Sequence, residues 1–503
     1  MMRVRLASLA VGMAILLPAV ACGGGESSSS AAAGVESSTA ASAKSSATSK
    51  PKRKSGVVQR FRSRPDLRPP AVTVRRRSRR TAPGHVFMAP LSGPGQDGPM
   101  IVDDRGELVW FQPLRGKTAM DFRVQTYRGR PVLTWWQGGF VAGWGRGEYV
   151  VADGGYRTIA RVEAANGHRG DHHDFTITPQ GTALLTVYEG VRRNLSSVGG
   201  SRRGTVMDGV LQEVDIETGR LLFEWHSLDR VRIGESYKSV PKKSRDPWDY
   251  FHINSADVDQ DGNLLISARN THAVYKIDRD TGAIMWRLGG KRSDFRMGRK
   301  TRFAWQHDAR RQPDGTISIF DNAASPKVRE RSRGIVLALN TRRMRATLKR
   351  KYEHPRDLLA NNKASMQVMP NGNAFLGWGS EPYFSEFSKR GRLLFDVRFP
   401  GPVVSYRAYR FPWTGRPTDA PAVAASARRG GRLTVYASWN GATDVTTWQV
   451  LTGPRPDALR PARSAARDRF ETAIRVHATQ PYVSVQAKDR NGQVIGTSRT
   501  IRP

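Results

Sequence analysis

Three histidines occupy one place in a repeated pattern. His173 lies 8 residues before Gly181, His252 lies 10 before Gly262, and His307 lies 8 before Gly315. Each opens a strand-like run that ends in a glycine turn. Equivalent folding of the three runs would bring the imidazoles to one end of the molecule. Imidazole is a good nucleophile toward sulfur or phosphorus and a general acid or base near neutral pH. Asn254 and Arg269, close to His252 in the chain, add hydrogen-bonding and charge suited to an anionic group. Trp305, two residues before His307, shares its strand face and would wall an aromatic substrate. This combination points to transfer of an anionic group. The competing reading of any one of these histidines is a structural corner that bonds backbone. His172, His272 and His354 lack the register and are read as structural or exposed.

Other chemistries find less support. Converging histidines suggest a metal, but Asp174 and Asp308 follow their histidines directly and would point to the opposite strand face. No carboxylate shares the register, so no metal is assigned. There is no Gly-x-Ser-x-Gly, no P-loop and no Gly-x-Gly-x-x-Gly opening a helix, so no nucleotide or other cofactor is expected. Attack by imidazole requires its neutral form, which predicts activity fading below about pH 6.5, or lower where arginines depress the histidine.

The histidines must be positioned by strands. Short apolar runs separated by Asp-Gly, Asn-Gly or Thr-Gly turns recur along the chain and read as antiparallel hairpins. The turn glycines at 181, 262, 315 and 372 mark four units of four strands. Two less regular units precede residue 167, with Pro70 to Thr73 completing the ring. The fold expected over 65–412 is therefore a six-bladed β-propeller in an all-β chain. In that fold the first strand of each unit lines the central channel, and the histidines meet near its axis. From 413 to 503 the alternation changes character, with Trp439, Trp448 and a late Tyr482 strand, and suggests an immunoglobulin or fibronectin-type β-sandwich.

The start of the chain reads as delivery. Residues 1–21 form a signal peptide with Arg3 and Arg5 before an apolar stretch too short to span a bilayer. The stretch ends Leu17-Pro18-Ala19-Val20-Ala21-Cys22, which resembles a bacterial lipobox with Cys22 as the lipidated residue. Residues 22–64 are a Ser- and Ala-rich, then basic, tether too poor in apolar side chains to fold. The chain is thus expected to be exported and anchored by lipid to the outer face of the membrane. The formal charge of +37 comes largely from arginine and reads as a solvated basic surface; export argues against nucleic acid as a partner. Nothing in the residues fixes an oligomeric state.

His-x-Asn-Ser at 252–255, Ile-Ser-x-Arg at 266–269, Tyr-x-Ile-Asp at 275–278, Trp-Arg-Leu-Gly-Gly at 286–290 and Gln-His-Asp at 306–308 resemble the bacterial arylsulfotransferases, over roughly residues 66–400. The resemblance implies a six-bladed propeller that moves a sulfuryl group from an aryl sulfate to a phenol through a sulfohistidine, without a nucleotide donor. It implies His307 as nucleophile, His252, Asn254 and Arg269 around the sulfuryl group, and His173 as a further active-site histidine. The alternative is a non-catalytic exported propeller that binds a wall polymer or a protein partner.

Overall fold

A computed structural model describes residues 57–141, 143–242, 246–428, 430–477 and 479–503; the signal peptide, Cys22 and most of the tether lie outside the described residues. The repeated turns form as the sequence predicts. Gly181, Gly262, Gly315 and Gly372 all have φ between +77° and +84°, a conformation that costs glycine little. Each donates its N–H to the carbonyl three residues back, as in Gly262 N to Asp259 O at 3.0 Å.

Among the described residues eight β-sheets result, antiparallel but for one short edge pairing, and six of them lie between residues 73 and 411. The third runs through Phe175–Ile177, Thr182–Arg193, Gly204–Asp215 and Leu221–His226. The fourth runs through Ile253–Val258, Leu264–Ala268, Ala273–Ile277 and Ile284–Gly289. The fifth opens with His307–Arg311 and the sixth with Ser365–Val368. The second opens with Thr118–Tyr127. The first borrows its inner strand from far along the chain: Val404–Phe411 pairs with His85–Leu91. Thr73–Arg76 pairs instead with the outer strand Leu393–Arg398 of the sixth sheet.

The six innermost strands touch one another in cyclic order, the last packing on Thr118–Tyr127. Apolar clusters seal each neighbouring pair of sheets, for example Leu211 and Trp225 against Tyr275, or Phe375 and Phe395 against Val86. Because both faces are covered, inner positions are apolar without alternation; all five residues of Ala273–Ile277 are buried. The last two sheets, between Ala422 and Thr497, share one apolar cluster that includes Val435, Trp448 and Val485. Among the described residues no helix is long and apolar enough to cross a membrane.

Where the inner strands meet, charge replaces apolar packing. Arg407 Nη1 donates to Asp121 Oδ1 at 2.9 Å and to Asp174 Oδ1 at 2.8 Å, and Nη2 donates to Asn254 O at 2.7 Å. Arg310 reaches both oxygens of Asp174 at 2.8 Å and its Nε donates to Asp308 Oδ1 at 2.9 Å. Burial alone would raise the Asp174 carboxyl, but Arg310, Arg407 and Arg123 more than offset it and hold it well below the usual range. Removing one partner of such a buried set leaves an uncompensated charge. Asp174→Asn should therefore lower the unfolding free energy by about 3–5 kcal/mol, read from guanidinium denaturation; a loss under about 1 kcal/mol would mean the set is dispensable.

Candidate active site

His307 heads its strand between two residues held in the left-handed region, Trp305 at φ +55° and Asp308 at φ +54°; His252 shares that conformation at φ +59°. Such backbone costs about 1–3 kcal/mol per residue and persists only where contacts enforce it. Those contacts are present. Trp305 Nε1 donates to Pro326 O at 2.9 Å, and Asp308 Oδ2 accepts from Met366 N at 3.0 Å. The kink after His307 turns Asp308 into the buried ion set and leaves the imidazole above it.

The three histidines in register come together. Ring centroids are 4.7 Å apart for His173 and His252 and 6.3 Å for His252 and His307. Arg269 lies beside them: its N–H donates to His252 O at 2.9 Å and its guanidinium carbon sits 4.9 Å from the Trp305 ring. Nη1 and Nη2 donate to Asn270 Oδ1 and Asn361 O, while the buried Nε has no partner. Asn254 is fully buried; its Nδ2 donates to Gln306 O at 2.7 Å, next to His307, and its Oδ1 is unpartnered.

The hydrogen bonds define which nitrogens are free. Asn322 Nδ2 donates to Ala360 O and Lys363 O, so its Oδ1 faces the ring and accepts from His307 Nδ1 at 2.8 Å. The lone pair of His307 is thus on Nε2. Burial, then Arg269 and His252, push the His307 imidazole well below its ordinary value, so it is neutral at physiological pH. His252 donates from Nδ1 to Asp249. Burial works against the Asp249 carboxylate, but His252 outweighs it and the group stays ionised. Asp171 accepts from His173 N at 3.0 Å and pairs with the Nδ1 of that ring, while its other oxygen takes Gly145 N at 2.8 Å. Burial foremost, and then His172, lower His173 to about 3 despite Asp171.

Reading the sequence for carboxylates in register missed these partners. Asp171 and Asp249 precede their histidines by two and three residues, in irregular backbone ahead of the strands, where alternation does not apply. An Asp within a turn of a strand-opening His was the available signal. Asp171, His172 and His173 also bring one oxygen and two nitrogens within 4.8 Å, a spacing that three ligands of one ion could adopt. The carboxylate is already engaged with His173 and Gly145 and serves to orient the His173 ring. His172 is buried against Trp136 and Tyr406, and His354 is bonded to Asp396, so both are structural as expected. His272, read in the same way, instead packs edge-to-face with Trp305, ring centroids 4.3 Å apart, and belongs to the surroundings of the site.

The arrangement offers a neutral imidazole with a free Nε2, a carboxylate-backed imidazole beside it and an arginine with an unused donor. That is equipment for moving an anionic group. Residues 123–400 match the family Arylsulfotransferase (ASST), more than half of the chain, and the protein belongs to that family. Membership suggests aryl sulfotransfer, with small-molecule aryl sulfates and phenols as substrates. No curated protein matches the chain. Among solved structures, a protein of unknown function from Bacteroides caccae is 14% identical, covering 65% of this chain and 98% of its own, with a TM-score of 0.40. A catalytically inactive virginiamycin B lyase from Staphylococcus aureus is 9% identical, covering 74% and 97%, with a TM-score of 0.34. Likenesses this slight carry nothing across.

The buried neutral histidines set a pH dependence. In the unfolded chain they take up a proton near pH 6.5, whereas His173 and His272 in the fold do so only near 3. Protons therefore favour the unfolded chain, and the stability present above pH 6.5 is lost as pH falls from there toward 3. The unfolding midpoint should drop steadily between pH 7 and pH 4.5, and His173→Gln should make that decline shallower. A midpoint independent of pH across this range would contradict the neutral assignments.

Proposed function

We propose that the chain transfers a sulfuryl group from an aryl sulfate to a phenol by a ping-pong route, without a nucleotide donor. The observation that carries this reading is the His307 ring, neutral, with Nδ1 held by Asn322 and Nε2 free beside Arg269. Nε2 forms a bond to sulfur as the bond from sulfur to the aryl oxygen breaks. His252, which has the Asp249 carboxylate behind it and whose ring lies between His173 and His307, gives its proton to the leaving oxygen. The acceptor phenol returns a proton to His252 as its oxygen takes the sulfuryl group, and His307 is released neutral. Arg269 neutralises the sulfuryl oxygens while charge shifts to the leaving group. His173 supports His252 from the other side, Asn254 fixes the backbone at Gln306, and Trp305 walls the aryl ring.

The same reading takes the cyclic order of the inner strands as a six-bladed propeller and the last two sheets as a C-terminal sandwich. The apolar run before Cys22 supports export with lipid on that residue.

The test is phenol release from 4-nitrophenyl sulfate with and without an acceptor phenol. Release that depends on acceptor supports transfer. Equal release without it would mean a sulfatase, and none would favour a binding module. Arg269→Lys should lose about 10²-fold in kcat or more, because a point charge does not replace a planar fork. Since burial and Arg269 depress His307, its acid limb should fall well below the pH 6.5 expected of an ordinary imidazole. A limb at 6.5 would contradict the buried, arginine-flanked setting of that ring.

A further inference from the structure

The Trp286–Gly290 motif takes no part in the chemistry above, yet it builds the wall next to it. Gly289 and Gly290 have φ of +87° and +74°. A Cβ on Gly289 would lie 2.6 Å from His272 O and 2.8 Å from the Phe303 ring, and one on Gly290 would lie 2.7 Å from Thr271 O. The glycines let this loop close onto the His272 segment. Beyond the contact is a cleft of about 380 Å³, lined by Tyr237, His272, Lys291, Arg302 and Phe303 among others.

The cleft is aromatic and positive. Tyr237, from the long insertion after the third sheet, stacks on His272 with centroids 4.0 Å apart and planes within 4°. Tyr237 is nevertheless 43% exposed. Lys291 Nζ lies 5.1 Å from the centre of the Tyr237 ring and donates to Gly234 O and Ser236 O. His272 is buried with an unpartnered Nε2 and is neutral, its value lowered to about 3 by burial and then by Arg269, Arg329 and Lys291. Glu235, the nearby acid on the insertion, is matched by Arg287 and Arg292 at 3.8 Å each. Lys291 and Arg302 thus set the charge of the cleft. The far edge of His272 meets Trp305, whose ring carries Arg269. One indole separates the cleft from the arginine of the candidate active site.

We propose that this cleft binds a small anionic aromatic molecule at a site of its own, walled off from the candidate active site by His272 and Trp305. The proposal rests on the cleft itself and not on the transferase reading. Tyr237 and Phe303 supply ring contacts, Arg302 and Lys291 meet a carboxylate or sulfate, and the volume admits one substituted ring.

Calorimetric titration with 3-(4-hydroxyphenyl)propionate and with the neutral 4-propylphenol tests the site without any turnover. Wild type should bind the acid about tenfold more tightly than the neutral phenol, and Arg302→Gln should erase that preference. Arg302 is exposed, so this variant should fold. Equal binding of the two by wild type, or a preference that survives in the variant, would overturn the proposal. A chain without transferase activity would still show the preference, which keeps the two failures apart.

Discussion

Arg407 is the point on which the architecture turns. It is 1% exposed and sits in a strand that the chain reaches only after completing five other sheets. From there its guanidinium bonds Asp121 of the second sheet, Asp174 just before the third and the Asn254 carbonyl of the fourth, with Asp308 of the fifth at 3.8 Å. A charge buried this deeply is tolerable only when its partners all arrive, so the set rewards one arrangement of the inner strands and penalises others. The apolar clusters between neighbouring sheets are pairwise and would suit an open stack as well. The central ions connect several sheets at once.

That constraint also divides the carboxylates. Asp174 and Asp308, adjacent to their histidines, are drawn down into the ion set, and the left-handed backbone at Asp308 helps deliver it there. Asp171 and Asp249, ahead of the strands, stay above and orient His173 and His252. His307 has no carboxylate; its ring is held by the amide of Asn322. Burial, then Arg269 and His252, keep the amide-held His307 ring neutral, which suits a nucleophile, while the carboxylate behind His252 suits a ring that passes a proton on. The difference in partner gives two equivalent strand positions two different chemical capacities.

Much of this was legible because it is local. Turn glycines announce themselves by type and neighbours, and the register of His173, His252 and His307 follows from counting back from them. The pairing of Val404–Phe411 with His85–Leu91 was not legible, since a partner some 300 residues away leaves no local mark. The sequence suggested that Pro70 to Thr73 complete the ring; Thr73–Arg76 lies on an outer edge instead. Asn322 was missed because it stands at the end of the second strand of its sheet and reaches His307 by pairing, not by periodicity. His272 was set aside for lacking register, although proximity to Trp305 places it beside the site.

The central claim is that His307 Nε2 bonds directly to sulfur. Incubating the protein with 4-nitrophenyl sulfate and no acceptor, then digesting at alkaline pH where N-sulfonated imidazole survives longer, allows the adduct to be located by mass spectrometry. The account predicts one sulfuryl group on the peptide carrying His307, absent from His307→Asn and discharged when a phenol is added. A sulfuryl group on His252 or His173, or an adduct formed at the wild-type rate by His307→Asn, would contradict it.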